Sequence, residues 1–228
     1  MKHIATYHKT STEATHKLYK WNKAILACAI FFVAFVLFSI FKTNFQSIDT
    51  TINLWVIPLH NDAAVFSAKI LSAAFDTTTL VIATLITSVF LVIKKRKAQS
   101  LLFATTVSGT ALFITILKNL TQIARPENRL IEASGFSYPS GHCAGAVVFI
   151  GLIIYFIWSS QNVSHRVKFV STLSYGLIVA FVGFDRIYLN VHWLSDVIGG
   201  YLFGAFWLSF CIIVYEHLKN RHTKLQRQ

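Results

Sequence analysis

Charged residues are scarce in this chain, and acidic residues are the scarcest of them. Only 13% of the 228 residues are charged, and just 9 are Asp or Glu. Hydrophobic residues make up 54% of the sequence, and the mean hydropathy is +0.56. This composition excludes an ordinary soluble domain and predicts an integral membrane protein. The few carboxylates form no cluster of the kind that holds magnesium.

Cysteine is sparse as well, with 3 residues in the whole chain. Cys28, Cys143 and Cys211 lie in separate apolar segments and show no CxxC or other metal-ligand spacing. We therefore interpret all three as packing residues and expect no disulfide.

Basic residues, in contrast, give the chain a formal net charge of +12. Such an excess could suggest a nucleic-acid partner, but no soluble basic face is evident in the sequence. Membrane proteins collect Lys and Arg on their cytoplasmic loops, so we expect the partner to be the lipid bilayer and not nucleic acid. We expect no obligate protein partner.

Six apolar runs predict membrane-spanning helices. They cover residues 24–41, 78–93, 100–117, 143–158, 169–184 and 194–215, and the second can extend back into residues 65–75. A cleaved signal peptide is the alternative for the first run. The segment FKTNFQS that follows it offers no small-x-small cleavage pattern, so we predict a retained signal anchor.

Residues 46–75 carry apolar side chains at helical spacing between polar ones, with a break at Pro58. This pattern predicts a helix lying in the membrane interface. The predicted fold is therefore all-α, an integral membrane bundle of six transmembrane helices with an interfacial helix between the first and second. We predict one domain over residues 1–228, with the bundle at 24–216 and basic cytoplasmic ends at 1–23 and 217–228.

The distribution of positive charge predicts the orientation of the bundle. With the N-terminus inside, 15 of the 21 Lys and Arg fall on the segments predicted to be cytoplasmic, as the positive-inside rule requires. Lys118, Arg125 and Arg186 fall on the outer side, where orientation gives no reason for a positive charge. The same threading places loops 118–142 and 185–196 on one outer face, so their polar residues can converge.

The most unusual polar stretch is DRIYLNVHWLSD, residues 185–196, because ionisable residues inside apolar sequence usually serve a function. His192 and Asp196 are four apart. On a helix that begins near Trp193, the carboxylate can accept the imidazole N–H and make an oriented, basic histidine. Arg186 adds a cation suited to an oxyanion such as phosphate. The alternative is a structural hydrogen bond that ties the loop to the last helix.

Lys118 and Arg125 are seven apart, so both point the same way if their helix continues past Leu117. Pro126 then ends that helix and restricts Arg125 toward an extended backbone. Two cations would thus face one site. The alternative for each is a side chain that snorkels to lipid head groups.

The segment from Pro139 to His142 precedes an apolar helix directly. Ser140 is predicted to cap that helix, and the Gly141 and His142 amides are then the free donors of a helix N-terminus, which binds anions readily. A simple helix-starting turn would need Pro, Ser or Gly but has no need of the histidine.

These three motifs together resemble the type-2 phosphatidic acid phosphatase superfamily of integral membrane lipid phosphatases, whose site is similar to that of vanadium haloperoxidases. The family pattern is Lys, six residues, Arg-Pro; then Pro-Ser-Gly-His; then Ser-Arg, five residues, His, three residues, Asp. Here KNLTQIARP (118–126), PSGH (139–142) and DRIYLNVHWLSD (185–196) match its order and spacing. Each motif alone is weak, but the three in order are specific.

The resemblance implies a role for each matching residue. His192 would attack phosphorus and become phosphohistidine, Asp196 would orient it, and His142 would protonate the leaving oxygen and then activate water. The groups implied to hold the phosphoryl oxygens are Lys118, Arg125, Arg186, the Ser140 side chain and the Gly141 amide. No metal and no other cofactor is implied.

The resemblance further implies a metal-independent lipid phosphatase in a bacterial inner membrane, with its site facing the periplasm. Candidate substrates are polyprenyl diphosphate, lipid A phosphates, phosphatidylglycerol phosphate and phosphatidic acid. A lipid phosphotransferase is one alternative, because phosphohistidine can be discharged to another alcohol. An anion transporter is a second, although no inverted repeat supports it.

The chain departs from the family pattern at Asp185, which stands where the family has Ser. Neighbouring residues on a helix point about 100° apart, so Asp185 need not pair with Arg186. We expect it either at the rim of the site, where it could contact a lipid head group, or paired with Lys118 or Arg129.

Overall fold

The structure is a computed structural model that describes the backbone of residues 2–225 and the side chains of residues 21–221 and 225. All its regular elements within these limits are helical. The α-helices are α1 (Lys2–Ile40), α2 (Gln46–Val56), α3 (Asp62–Ala74), α4 (Thr77–Ile93), α5 (Lys97–Thr121), α6 (Gly141–Ser159), α7 (His165–Tyr188) and α8 (Leu194–Leu225). Short 3₁₀ turns at Lys42–Phe45 and Ile57–Leu59 flank α2.

Five segments are each long and apolar enough to cross a membrane. They are Trp21–Ile40, Lys97–Thr121, Gly141–Ser159, His165–Tyr188 and Leu194–Arg221. Helices α3 and α4 together make a sixth candidate, bent by 46° between them. Many large apolar side chains, such as Leu85 and Phe169, are exposed at 61% and 68%, as expected of surfaces that face lipid. The predicted all-α membrane bundle is confirmed.

The segment predicted as one interfacial helix is divided differently from the prediction. Residues 46–75 form two helices, and the second of them, α3, makes a bent candidate span with α4, which agrees with the expected extension of the second span into residues 65–75. Pro58 lies in the 3₁₀ turn after α2, and the Asn61 side chain then caps α3 by accepting a hydrogen bond from the Ala64 amide at 3.0 Å. The interfacial position remains a prediction for α2 alone.

Helix α8 packs mainly against α1 and α6. Close approach between α8 and the start of α6 requires glycine, because a Cβ on Gly200 would lie 2.6 Å from the Ser140 carbonyl oxygen. Trp207 of α8 packs against both apolar clusters of the core. This packing places the N-termini of α6 and α8 side by side, and the candidate active site lies at these two helix ends.

Candidate active site

A cavity of about 730 Å³ lies among α3, α4, α5 and α6 and reaches the loops at one end of the bundle. The predicted site residues that line it are Lys118, Arg125, Gly141, His142, Arg186 and His192. Apolar and hydroxyl side chains from the spans, including Leu80, Thr84 and Ile114, line the rest. The cavity thus has a strongly cationic end, and membrane helices form the rest of its wall.

His192 lies just before α8, and its two ring nitrogens face different partners. Nδ1 is 3.3 Å from Asp196 Oδ2, and Nε2 is 3.1 Å from Arg125 Nη1. A guanidinium nitrogen can only donate, so Nε2 accepts and the ring proton belongs on Nδ1. Burial lowers the pKa of His192 to about 4, although Asp196 acts in the opposite direction. The imidazole is therefore neutral near pH 7, with its lone pair on Nε2.

Asp196 is fully buried at the N-terminus of α8 and is held by several donors. Its Oδ2 accepts hydrogen bonds from the Ser137 hydroxyl and, at 2.9 Å, from the Trp193 amide, and it also faces His192 Nδ1. Because the carboxylate cannot rotate freely, it fixes the orientation of the imidazole ring.

Arg125 joins the two loops of the site. It donates to the carbonyl oxygens of Ser134 at 3.2 Å, Gly135 at 3.1 Å and Val191 at 2.8 Å, in addition to its contact with His192. Burial lowers the pKa of Arg125, but a guanidinium remains charged at any physiological pH. It presents a fixed positive group directly beside His192 Nε2.

Lys118 and Arg125 both line the cavity, but they do not lie on one continuous helix as predicted. Helix α5 ends at Thr121, because Gln122 adopts a left-handed conformation with φ of 50°. Arg125 therefore lies on the following loop, and the predicted continuation of the helix toward Pro126 is wrong. Lys118 remains on the helix and donates to the carbonyl oxygens of Phe136, at 2.5 Å, and Ser137, at 3.2 Å.

Helix α6 begins at Gly141, so Gly141 and His142 form its first turn beside the cavity. Ser140 occupies the N-cap position, but its side chain makes no capping hydrogen bond, contrary to the prediction. Its hydroxyl is buried and has no hydrogen-bond partner, while its amide donates to the Asp196 carbonyl oxygen at 3.0 Å. Ser140 thus connects α6 to α8 through its backbone.

Asp185 is buried and binds Arg186, its neighbour in the chain. Arg186 Nε donates to Asp185 Oδ2 at 2.9 Å, and Arg186 Nη2 donates to the same oxygen. With 3% of Asp185 and 2% of Arg186 exposed, the expectations of a rim position or of a partner in Lys118 or Arg129 are both wrong. The last turn of α7 turns both side chains inward, and a buried carboxylate and guanidinium pair because neither tolerates burial alone.

Several residues of this network were not predicted from the sequence. Ser137 binds Asp196, Lys42 Nζ lies 3.3 Å from the second Asp196 oxygen, and Asp49 accepts from the Ser195 amide and hydroxyl at 2.8 and 2.5 Å. Burial raises the pKa of Asp49. Of these residues, only Lys42 could have been singled out from the sequence, because the positive-inside rule does not explain a positive charge outside the cytoplasmic segments.

Contacts between the two loops hold the site together from outside the cavity. The Leu130 amide donates to the Leu189 carbonyl oxygen at 3.1 Å, and Trp193 Nε1 donates to the Ala124 carbonyl oxygen at 2.8 Å. The 185–196 loop is also attached to α2, because Asn190, in a left-handed conformation with φ of 52°, accepts from the Asn53 side-chain amide at 2.8 Å. The 118–142 and 185–196 loops therefore form one connected unit.

The fold and this site define a multi-pass membrane protein with an oriented histidine in a cationic pocket. The family model of the PAP2 superfamily matches residues 97–219, more than half of the chain, and all three motifs lie within that range. The chain belongs to the PAP2 superfamily.

Curated proteins similar to this chain carry the names of lipid phosphatases. Phosphatidylglycerophosphatase B of Bacillus subtilis (strain 168) is 34% identical over 134 residues, covering 58% of this chain and 63% of that protein. Lipid phosphate phosphatase delta of Arabidopsis thaliana is 25% identical, covering 48% of this chain and 26% of that protein. Undecaprenyl-diphosphatase of Sulfolobus acidocaldarius is 35% identical, covering 37% and 36%. The chain spans less than two thirds of the length of each of these relatives.

Two solved structures share the fold. The transmembrane PAP2-type phosphatidylglycerolphosphate phosphatase from Bacillus subtilis superposes with a TM-score of 0.78 at 23% identity, over 84% of this chain and 96% of that one. LpxE of Aquifex aeolicus superposes with a TM-score of 0.55 at 20% identity, over 74% and 94%. Both likenesses concern the architecture of the bundle.

Proposed function

We propose that this protein is a lipid phosphatase that removes a terminal phosphate from a membrane lipid through a phosphohistidine intermediate. The observation that carries the proposal is the orientation of His192. Its Nδ1 faces Asp196 at 3.3 Å, and its Nε2 faces the cationic end of the cavity beside Arg125. A neutral imidazole held in this way is a nucleophile directed at the position where an anion would bind.

In the first step, the lone pair on His192 Nε2 attacks phosphorus. The N–P bond forms while the bond from phosphorus to the lipid oxygen breaks, and His142 gives its proton to that leaving oxygen. His142 lines the same cavity as His192. Asp196 stabilises the positive charge that develops on His192.

In the second step, a water molecule attacks the phosphohistidine. His142 accepts a proton from this water, the N–P bond breaks, and inorganic phosphate leaves. Lys118, Arg125 and Arg186 surround the transferring group and stabilise the charge on its oxygens, which is the main catalytic requirement of phosphoryl transfer. Arg125 exchanges its contact with His192 Nε2 for a contact with a phosphoryl oxygen when substrate binds.

The shape of the cavity supports a lipid substrate. Apolar side chains of α4 and α5, such as Leu80, Ile114 and Val107, line it away from the cations. An acyl or prenyl chain can lie against this wall while the phosphate occupies the cationic end. The relatives named as phosphatidylglycerophosphatase B and undecaprenyl-diphosphatase support the same substrate class. We propose that the site faces the periplasm from the inner membrane, since the charge distribution follows the positive-inside rule.

Release of inorganic phosphate by the purified protein in detergent tests this function. The substrates are phosphatidylglycerol phosphate, undecaprenyl diphosphate, phosphatidic acid and a lipid A phosphate. We expect turnover of at least one of them. Product that forms only when an acceptor alcohol is added would indicate a phosphotransferase instead, and no turnover of any of them would contradict the proposal.

Chelation is expected to leave activity unchanged, whereas vanadate is expected to inhibit. In the described part of the chain, no three His, Cys, Asp or Glu side chains gather where they could hold a metal, and three cations are present to balance the phosphate charge. Vanadate adopts the five-coordinate geometry of phosphoryl transfer and would bind the same cations. The measurement is phosphate release in excess EDTA and in a vanadate series. Activity lost in EDTA and restored by magnesium would contradict the metal-free mechanism.

Replacing Asp185 with alanine is expected to lower kcat/KM for a lipid substrate and for a small soluble phosphate ester by the same factor, about tenfold. Asp185 binds Arg186 in the buried interior, so its loss disturbs a phosphate-binding cation and leaves the lipid chain's contacts intact. Asp62→Ala, at an exposed position, is the matched control. A fall confined to the lipid substrate would place Asp185 in head-group recognition instead.

A further inference from the structure

Lys42 is a buried cation that none of the three sequence motifs includes. It lies in the 3₁₀ turn that follows α1 and is 7% exposed. Its Nζ is 3.3 Å from Asp196 Oδ1. This is the carboxylate oxygen that faces away from His192, since His192 Nδ1, Ser137 and the Trp193 amide all contact Oδ2. Asp196 therefore contacts His192 through one carboxylate oxygen and Lys42 through the other.

The surroundings of Lys42 are arranged to hold its ammonium in this place. Its Nζ lies 5.3 Å from the centre of the Tyr138 ring, within the range of a cation–π interaction. The Tyr138 hydroxyl is in turn 2.6 Å from the Ser39 hydroxyl of α1. Asp49 lies close enough to interact electrostatically with both Lys42 and Asp196. Burying a lysine is costly, and the pairing with Asp196 compensates for that cost here.

From this geometry we infer that Lys42 is a positioning residue for catalysis, which holds the Asp196 carboxylate in place and offsets part of its charge. The inference rests on the proposed role of His192 as the nucleophile. A carboxylate with no partner on Oδ1 would stabilise the protonated imidazole more strongly, and a protonated His192 has no lone pair for attack. Lys42 thereby keeps His192 neutral and reactive at acidic pH.

The charges around His192 determine in which direction its pKa shifts when Lys42 is replaced by a neutral residue. Arg125 and Lys118 face it as cations, and Asp196 faces it as an anion. Arg186 and His142 line the same cavity, while Lys42 and Asp49 lie behind Asp196. Removing the positive charge of Lys42 makes this environment more negative by one charge. The pKa of His192 then rises, so the acidic limb of the activity profile moves to higher pH.

The test is the pH dependence of kcat and KM for Lys42→Met, between pH 4 and pH 8, with a soluble phosphate ester. We expect kcat at the optimum to fall about tenfold or more, KM to change less than about twofold, and the acidic limb to move up by about one pH unit. Lys42→Arg retains the charge and is expected to keep the limb of the wild type. Lys94→Met, an exposed lysine between α4 and α5, is the matched control for loss of one charge.

Lys42→Gln is the second neutral variant, for use if Lys42→Met does not fold, because its uncharged amide keeps a polar group near Asp196. An unmoved acidic limb in the folded neutral variant would overturn the inference, and so would an equal shift in Lys42→Arg. Trapping of labelled phosphate on the wild-type protein separates the two proposals. If His192 is labelled and the limb stays in place, only the role of Lys42 is wrong. If the wild type turns over without labelling His192, the proposed function itself is wrong.

Discussion

His192→Ala is expected to lower kcat by about 10⁴-fold or more and to prevent any covalent labelling of the protein by phosphate. The variant lacks the Nε2 lone pair that lies 3.1 Å from Arg125 at the cationic end of the cavity, and losses of this size follow removal of a catalytic nucleophile. His142→Ala is expected to lower turnover of lipid substrates to a similar degree. It removes the proton donor but leaves the nucleophile in place.

A trapping experiment distinguishes the two histidines. With a substrate whose leaving group needs no proton, His142→Ala should form phosphoenzyme and fail to hydrolyse it, because no base remains to activate water. His192→Ala should form none. His165→Ala, an exposed histidine at the start of α7, is the matched control and should behave as wild type. Phosphate release at the wild-type rate from folded His192→Ala would exclude the phosphohistidine mechanism.

Arg125→Lys is expected to lower kcat/KM by about 10³-fold, although the substitution conserves the charge. Arg125 contacts three carbonyl oxygens of two loops and His192 at the same time, with distances of 2.8 to 3.2 Å. A lysine ammonium is a point charge on a flexible stem and cannot reproduce this planar set of donors. Arginines that stabilise transferring phosphoryl groups contribute effects of this magnitude.

Arg129→Lys is the control for that experiment, since Arg129 lies four residues further along the same loop and is exposed. Steady-state kinetics should show Arg129→Lys close to wild type. The melting temperature of Arg125→Lys should be measured alongside, because the loop contacts of Arg125 also support the fold. Near-normal kcat/KM in folded Arg125→Lys would show that this position needs only a positive charge.

Composition and hydropathy alone predicted the class of this protein. Its apolar runs match five described spans and one bent pair of helices. The reason is that an apolar run of this length can cross a bilayer as a helix, which satisfies its backbone hydrogen bonds within the segment itself, so that local sequence determines the element. The motifs identified candidate site residues for a similar reason, because charged groups are too costly in such a chain to be common. The single-domain organisation over residues 1–228 remains a prediction.

Local geometry was predicted less well where the backbone leaves its expected path. The continuation of α5 to Arg125 was wrong because Gln122 turns left-handed, a conformation with no strong signal in a residue of that type. The interfacial helix was assigned as one element because both of its halves have helical spacing. The Asn61 cap and the 46° bend between α3 and α4 separate the second half from α2 and make it part of a bent candidate span, as the expected extension of the second run into residues 65–75 allowed.

Most partners of the buried charges were decided by the tertiary structure, although the contact of His192 with Asp196 was expected from their spacing. Asp196 is contacted by Ser137, 59 positions earlier, and by Lys42, 154 positions earlier. Asp185 binds Arg186, although Lys118 or Arg129 was the partner expected from the sequence. A buried charge takes whichever opposite charge or donor the packed helices bring within reach. That choice depends on how α1 and α7 pack against α8, and the sequence around each residue carries no record of it.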